Sequence, residues 1–312
     1  MTGGVRVAVV DIGTNSTRLL VADVAEGGAL IELVRQSQVT RLGAGVERTG
    51  ALSDEGKQRV FATLDRYREE IDEHAVDAAV AVLTSAVRDA ADGAQFTDEV
   101  RSRYALDART IDGDEEARLT FLGATSERAD GVTVPTVVID IGGGSTEFIV
   151  GHGHDVTFHT SVQAGVVRHS ERHLASDPPA PGEMEALAQD VRATIEASVS
   201  QDVRASAQEA IAVAGTATSL AAIAQALEPY DPEKVHGYRL TLSECKALLD
   251  RLAALTDDER REVAGLHPDR APTIVAGVIV LLEALRAFGL ESVEVSEHDI
   301  LRGAALRAAG SA

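Results

Sequence analysis

The sequence has a single cysteine, Cys245, no tryptophan and only 3% aromatic residues. One cysteine excludes an internal disulfide. Leu242, Leu248, Leu249 and Leu252 surround it at helical spacing, so Cys245 is expected to be a buried structural thiol. With so few aromatics, the core must be built from Val, Leu, Ile and Ala. No uninterrupted apolar run approaches the ~20 residues a membrane span needs. Basic residues are also scarce: 29 Lys and Arg stand against 50 Asp and Glu, a formal net charge of −21. That balance excludes a general nucleic-acid or membrane-surface binder, which would carry a basic face. A polyanionic ligand stays open, held by local arginines, backbone N–H groups and a divalent cation. The first residues enter a strand pattern at once, with no leader layout, so the expected compartment is the cytoplasm.

What is present is organised around residues 134–150, a β-branched run that ends on Asp140. Gly142, Gly143 and Gly144 follow, then Ser145, Thr146, Glu147 and a second apolar run, which predicts strand, tight turn, strand. Glycines let the backbone approach a bound group and aim N–H donors at it. A carboxylate at the end of a buried strand needs a partner, and a metal ion is one.

The same pattern occurs earlier. Offset by 129 positions, residues 9–21 align without gaps on 138–150, and seven of thirteen pairs are identical, among them Asp11/Asp140, Gly13/Gly142 and Ser16/Ser145. The chain therefore reads as two copies of one β-hairpin unit, each heading a similar α/β domain. Two backbone-lined turns, Gly13-Thr14-Asn15-Ser16 and Gly142-Gly143-Gly144-Ser145-Thr146, suit the gripping of consecutive phosphates. Where the copies differ, Arg18 answers to Glu147. Arg18 offers a fork of donors to a phosphate, while Glu147 beside Asp140 offers a carboxylate pair to Mg²⁺, with Asp11 a further metal candidate.

Other elements supply further candidates. Ser53 caps a helix predicted over 53–74, and Asp77 to Leu83 is a strand followed by a turn, Thr84-Ser85-Ala86-Val87-Arg88. Arg88 is thereby placed at a sheet's carboxyl edge. Glu115 and Glu116 lie in the first turn of a helix, where acids also favour the helix dipole. Gly215 and Thr216 sit where a strand enters a helix, a third anion contact. The nine histidines show no metal-ligand motif; His169 and His173, i and i+4 on a helix, are assigned to structure. Residues 128–133 form the polar domain boundary.

With these residues in hand, the chain resembles the exopolyphosphatase/guanosine pentaphosphate phosphohydrolase (Ppx/GppA) family. The carriers are Asp11 to Ser16, Thr84 to Arg88, Gly113 to Arg118, Asp140 to Glu147, Gly215 to Thr218 and Val235-His236-Gly237. The resemblance implies an α/β fold of two ribonuclease-H-like domains of the actin-like ATPase superfamily. These would be residues 1–128 and 129–312, with an interdomain cleft as active site and a final helix from about 299 packing back on the first domain. It implies Mg²⁺-dependent removal of terminal phosphate from polyphosphate, or of the 5′ γ-phosphate from pppGpp, and a homodimer. By motif position it makes Glu116 the catalytic base, Arg88 a phosphate ligand, and Asp140 and Glu147 the magnesium-side acids. The length matches short, two-domain members. The run Glu297-His298-Asp299-Ile300-Leu301 departs from the family's usual Arg-Glu turn, and no role is carried over to it. The other readings are an ATP-dependent kinase and a phosphate-ligand sensor without turnover.

Overall fold

The computed structural model describes residues 4–128, 134–153 and 155–311. The boundary residues 129–133 and His154 lie outside the described residues. The chain divides into two compact units: residues 1–126 with 299–312, and residues 127–298.

The first unit opens with β1 (Val5–Ile12), β2 (Ser16–Val24) and β3 (Leu30–Val39), then α1 (Val46–Thr49), α2 (Asp54–Glu73), β4 (Ala78–Leu83), α3 (Ser85–Asp89), α4 (Gly93–Tyr104), β5 (Asp107–Thr110) and α5 (Gly113–Thr125). Its sheet order is β3-β2-β1-β4-β5, antiparallel through the hairpins and parallel from β1 to β4 to β5. Side chains alternate along a strand. Ala8, Val10 and Ile12 therefore join the core under α2 and α4, with Leu64, Ile71 and Phe96. Val7 and Val9 face the opposite core, with Leu119, Leu301 and Ala304. Ser53 caps α2 by accepting the Gly56 N–H, as its sequence predicts.

The second unit runs β6 (Thr136–Ile141), β7 (Thr146–His152), β8 (Asp155–Val162), α6 (Val166–His173), α7 (Pro181–Ser198), α8 (Gln201–Ser206), β9 (Glu209–Val213), α9 (Ala214–Ala224), α10 (Pro232–Val235), β10 (Arg239–Thr241), α11 (Leu242–Ala253), α12 (Asp257–Arg261), α13 (Ile274–Phe288) and β11 (Ser292–Val295). Read from the hairpin side its sheet is β8-β7-β6-β9-β11-β10, the order of the first sheet plus one edge strand. The repeat extends to detail. β1/β2 and β6/β7 pair Asp11 with Arg18 and Asp140 with Glu147 in the same register. A bulge falls after Val21 in one copy and after Val150 in the other, 129 positions apart. Cys245 is buried in the large core of this unit, and burial pushes its thiol pKa up to about 12.

The last helix, α14 (Ile300–Ser311), belongs to the first unit and packs on α5, β1 and β2. The α5–α14 crossing is close because both partners are glycine there. A methyl on Gly123 would collide with the Asp299 carbonyl, and one on Gly303 with the Leu119 carbonyl. Two sequence expectations change. Residues 85–89, expected as a turn, form one helical turn in which Val87 and Arg88 donate to the Thr84 carbonyl at 3.0 Å. The three-residue β10 was not foreseen, since a strand that short shows no periodicity.

Candidate active site

Asp11 and Asp140 lie one residue from the carboxyl ends of β1 and β6, and every other expected site residue except those on β2 and β7 follows the carboxyl end of a parallel strand. In the first unit Ile12 of β1 stands beside Leu83 of β4, and Leu83 beside Thr110 of β5. The segments that leave these ends, Gly13 to Ser16, Thr84 to Arg88 and Asp112 to Glu116, therefore share one sheet edge. In the second unit Asp140 of β6 is level with Val213 of β9, which brings the Gly142 turn and Gly215-Thr216 to one edge. Carboxyl edges of open α/β sheets are where such folds bind ligands.

In the first turn the Gly13 N–H donates to the Ser16 carbonyl at 2.9 Å, and the Thr14 and Asn15 carbonyls accept from Gly43 and Thr40. A trans peptide points its N–H opposite to its C=O. The N–H groups of Asn15 and Ser16 therefore face away from those partners. Thr14 Oγ1 lies 2.9 Å from Ser85 Oγ, which ties this turn to α3. Arg88 Nη1 donates to Glu116 Oε2 at 3.0 Å and to the Ile111 carbonyl at 3.1 Å. The structure thus joins the arginine and the acid that the motifs held 28 positions apart. Glu116 and Glu115 separate in role. The Asp112 side chain caps the Glu115 N–H at 2.8 Å, and the Glu115 carboxylate faces Arg109 and Arg307 at 3.6 and 3.5 Å.

Arg18 is employed differently from the expectation. Its Nε and Nη2 donate to Asp11 Oδ2 at 2.9 and 2.6 Å, and its Nη1 pairs with Asp299. The cause is burial. Alternation puts Asp11 on the Val7/Val9 face that α14 covers, and Asp299 enters that face at the head of α14. Two buried acids need a cation, and the guanidinium across the ladder is the one in register. Burial pushes the Asp11 pKa up, only partly countered by Arg18. At Asp299 burial works in the same direction, but Arg18, Arg35 and the Leu301 N–H outweigh it and hold the pKa below the usual carboxylate value. Asp11 Oδ1 is buried with no hydrogen-bond partner.

In the second turn the Gly142 N–H again donates to the Ser145 carbonyl at 2.9 Å. The carbonyls of Gly142, Gly143 and Gly144 accept from Val166, Val167 and Gly165 at the head of α6 at 3.0, 2.9 and 3.2 Å. The N–H groups of Gly143, Gly144 and Ser145 consequently point the other way, three donors in a row. Thr146 is turned inward, its hydroxyl donating to the Ala164 carbonyl at 2.8 Å. Glu147 Oε1 accepts from Ser145 Oγ at 2.6 Å and Ser161 Oγ at 2.7 Å. Asp140 and Glu147 are cross-strand partners, so two acids share one side of the sheet. Where the first unit sets Arg18 opposite Asp11, the second sets an acid opposite an acid. That all-oxygen set of carboxylates and hydroxyls suits a hard divalent cation. At the third segment, Ala214 turns the strand into α9 at φ 65°, a strained conformation for a residue with a side chain. Arg270 donates to the Gly215 carbonyl and to Ser219 Oγ, the latter at 2.8 Å.

Sequence reasoning missed Ser85, Ser161, Gly165, Arg270 and Asp299. Gly165 had a signal: it closes the loop after β8 as Gly43 closes the loop after β3, and both must admit the backbone or side chain of the preceding turn. Arg270 and Asp299 had none, because each meets its partner only through the folded chain.

Two similar units, each with a mixed sheet whose parallel carboxyl ends carry a glycine turn and acids, with an Arg–Glu pair in the first, define a two-unit α/β protein built to hold phosphate groups. The model of the Ppx/GppA phosphatase family matches residues 20–309, and the chain belongs to that family. It is 38% identical to exopolyphosphatase 2 of Mycobacterium tuberculosis over 98% of this chain and 99% of that one. Among solved structures it is similar to an exopolyphosphatase-like protein, with TM-score 0.87 and 34% identity over 99% of this chain and 98% of that one. The Ppx/GppA family member from Aquifex aeolicus gives TM-score 0.85 and 29% identity over 98% and 97% of the two chains. The chain is accordingly a hydrolase. Among the described residues no helix is long and apolar enough to cross a membrane.

Proposed function

We propose that this protein releases terminal phosphate from inorganic polyphosphate, with short chains preferred. Glu116 is the general base in this reading. The observation that carries it is the Arg88–Glu116 pair at a sheet edge shared with a backbone-lined phosphate turn. The name of the Mycobacterium tuberculosis relative supports the substrate class.

Each unit carries its own phosphate-binding groups. From the first, the N–H groups of Asn15 and Ser16, the Thr14 and Ser16 hydroxyls and Arg88 bind phosphate oxygens. From the second, the N–H groups of Gly143, Gly144 and Ser145 and the Gly215-Thr216 segment do the same. Phosphate oxygens compete with Glu116 for Arg88, and as Arg88 turns to them the Glu116 carboxylate is released to orient and deprotonate the attacking water. Arg18 acts through Asp11, holding that acid in place, rather than as a direct phosphate ligand. Asp140 and Glu147 would hold Mg²⁺. Bound there, Mg²⁺ supplies neutralisation of the charge that develops on the phosphoryl oxygens.

The test compares phosphate release from short polyphosphate, long polyphosphate, pppGpp and ATP, with and without Mg²⁺, for wild type and Glu116→Gln. The expected result is Mg²⁺-dependent release from short polyphosphate, reduced roughly 10²–10⁴-fold in turnover by Glu116→Gln with binding retained. Near-normal turnover of that variant overturns the assignment. Preference for pppGpp moves the substrate to guanosine polyphosphate. ADP formation only with an acceptor present makes the protein a kinase, and binding without release a sensor.

A further inference from the structure

His169 and His173 stand one turn apart on α6, and Asp190 of α7 comes up beside both. One ligand atom from each of the three lies within 4.8 Å of the others. His173 Nε2 is 2.8 Å and His169 Nε2 3.6 Å from Asp190 Oδ2, and the two rings are 5.7 Å apart. The protonation of His169 follows from its surroundings. Its ring is fully buried, and its Nδ1 lies 3.2 Å from the Gly165 carbonyl, which can only accept. Nδ1 therefore carries the hydrogen, and Nε2 presents a lone pair. That lone pair is buried, has no hydrogen-bond partner and looks toward a carboxylate oxygen. One of these two acceptors is buried and the other, on Asp190, is 33% exposed; facing each other at 3.6 Å they repel unless a cation stands between them. A second proton on His169 is one such cation, and a metal ion held by both residues is the other. The Nδ1–H donated to a backbone carbonyl is also the arrangement that orients a metal-ligating histidine.

The other three-residue group in the second unit makes the contrast. At Glu127, His236 and His298, the Glu297 N–H donates to His236 Nδ1 at 3.3 Å. His236 Nε2 then carries the hydrogen and donates to Glu127 at 3.3 Å. There a donor meets an acceptor, and no cation is called for.

We propose that His169 Nε2, a ring nitrogen of His173 and a carboxylate oxygen of Asp190 form a structural site for one divalent transition ion of the Zn²⁺ type. Two imidazoles at i and i+4 with one carboxylate are a donor set for Zn²⁺ rather than Mg²⁺. Arg172 also reaches Asp190 Oδ2, at 3.1 Å, and sits half-exposed, free to swing outward as the ion takes that oxygen. The consequence for the fold is specific. The head of α6 supplies the N–H groups that hold the Gly142, Gly143 and Gly144 carbonyls, so an ion joining α6 to α7 would brace the glycine turn from behind.

The test titrates full-length metal-free protein with Zn²⁺ alone by calorimetry, and with Co²⁺ alone while visible absorption is recorded. Wild type and His236→Ala are expected to bind one ion with a Kd below about 1 µM, to show tetrahedral Co²⁺ bands and to melt at higher temperature with Zn²⁺ added. His173→Ala and Asp190→Asn, which leave the buried ring in place, are expected to weaken binding at least 10-fold and to lose the bands. Equal binding by His173→Ala and wild type overturns the site, as does the absence of stoichiometric binding in wild type. Loss of binding in His236→Ala alone transfers the ion to the other group and overturns it equally.

Discussion

Gly165→Ala tests whether the glycine turn depends on the helix behind it. A methyl at this position would fall well inside van der Waals distance of the Gly143 and Gly144 backbone. Neither side can give by a rotamer change, because the obstacle is main chain. Relief requires α6 and the turn to part by at least about 1 Å, given an ordinary carbon–carbon separation of roughly 3.5–4.0 Å. The bonds across this seam include Gly165 to Gly144 at 3.2 Å, Val166 to Gly142 at 3.0 Å, Val167 to Gly143 at 2.9 Å, and Arg168 Nε to Gly144 at 3.0 Å. Stretched by that amount they pass beyond hydrogen-bond range. At about 0.5–1.5 kcal/mol each, with partial relaxation of a short helix, the loss is roughly 2–4 kcal/mol. Displacing the turn's N–H groups by about 1 Å should also lower turnover on the order of 10²-fold. Urea unfolding and phosphate release from short polyphosphate read the two effects. Gly182→Ala is the control: it lies in α7 with nothing within 4 Å of the added methyl, so it should be neutral or slightly stabilising. If Gly165→Ala matches Gly182→Ala in both assays, the packing argument is refuted.

Asp299→Asn leaves Arg18 still neutralised by Asp11 but removes its charged second partner, and should cost about 1.5–3 kcal/mol at neutral pH, read by denaturant midpoint. Because the folded pKa of Asp299 lies below its ordinary value, its contribution is present above about pH 4 and is lost as pH falls through the folded value. Melting temperatures of wild type and variant should therefore converge on acidification, and a gap that widens instead would refute the sign. Glu147→Gln should raise the Mg²⁺ concentration for half-maximal phosphate release roughly 10-fold or more, since it removes one of two facing carboxylates. An unchanged Mg²⁺ midpoint removes Glu147 from the metal side.

The sequence by itself determined the repeat, and with it much of the architecture. The match at 129-residue spacing made Arg18 the counterpart of Glu147 and set Glu147 beside Asp140, and the structure pairs Asp11 with Arg18 and Asp140 with Glu147 in the same register, a local property of a tight hairpin. The cap at Ser53, the buried Cys245 and the glycine turns were legible for the same reason: each is written in neighbouring residues. Tertiary structure alone decided which groups those residues meet. Arg18 looked like a phosphate donor until α14 brought Asp299 to it across 281 positions, and the cost of burying two carboxylates then settled where the guanidinium goes. Arg88 found Glu116 only when β4 and β5 came level. Nothing in the spacing of His169 and His173 told which ring nitrogen carries the hydrogen. The Gly165 carbonyl fixes it, and that carbonyl is in place because Gly165 lets α6 close on the turn. Hydrophobic period and turn chemistry act over a few residues and are readable, whereas the partner of a buried charge is chosen by whichever surface covers it.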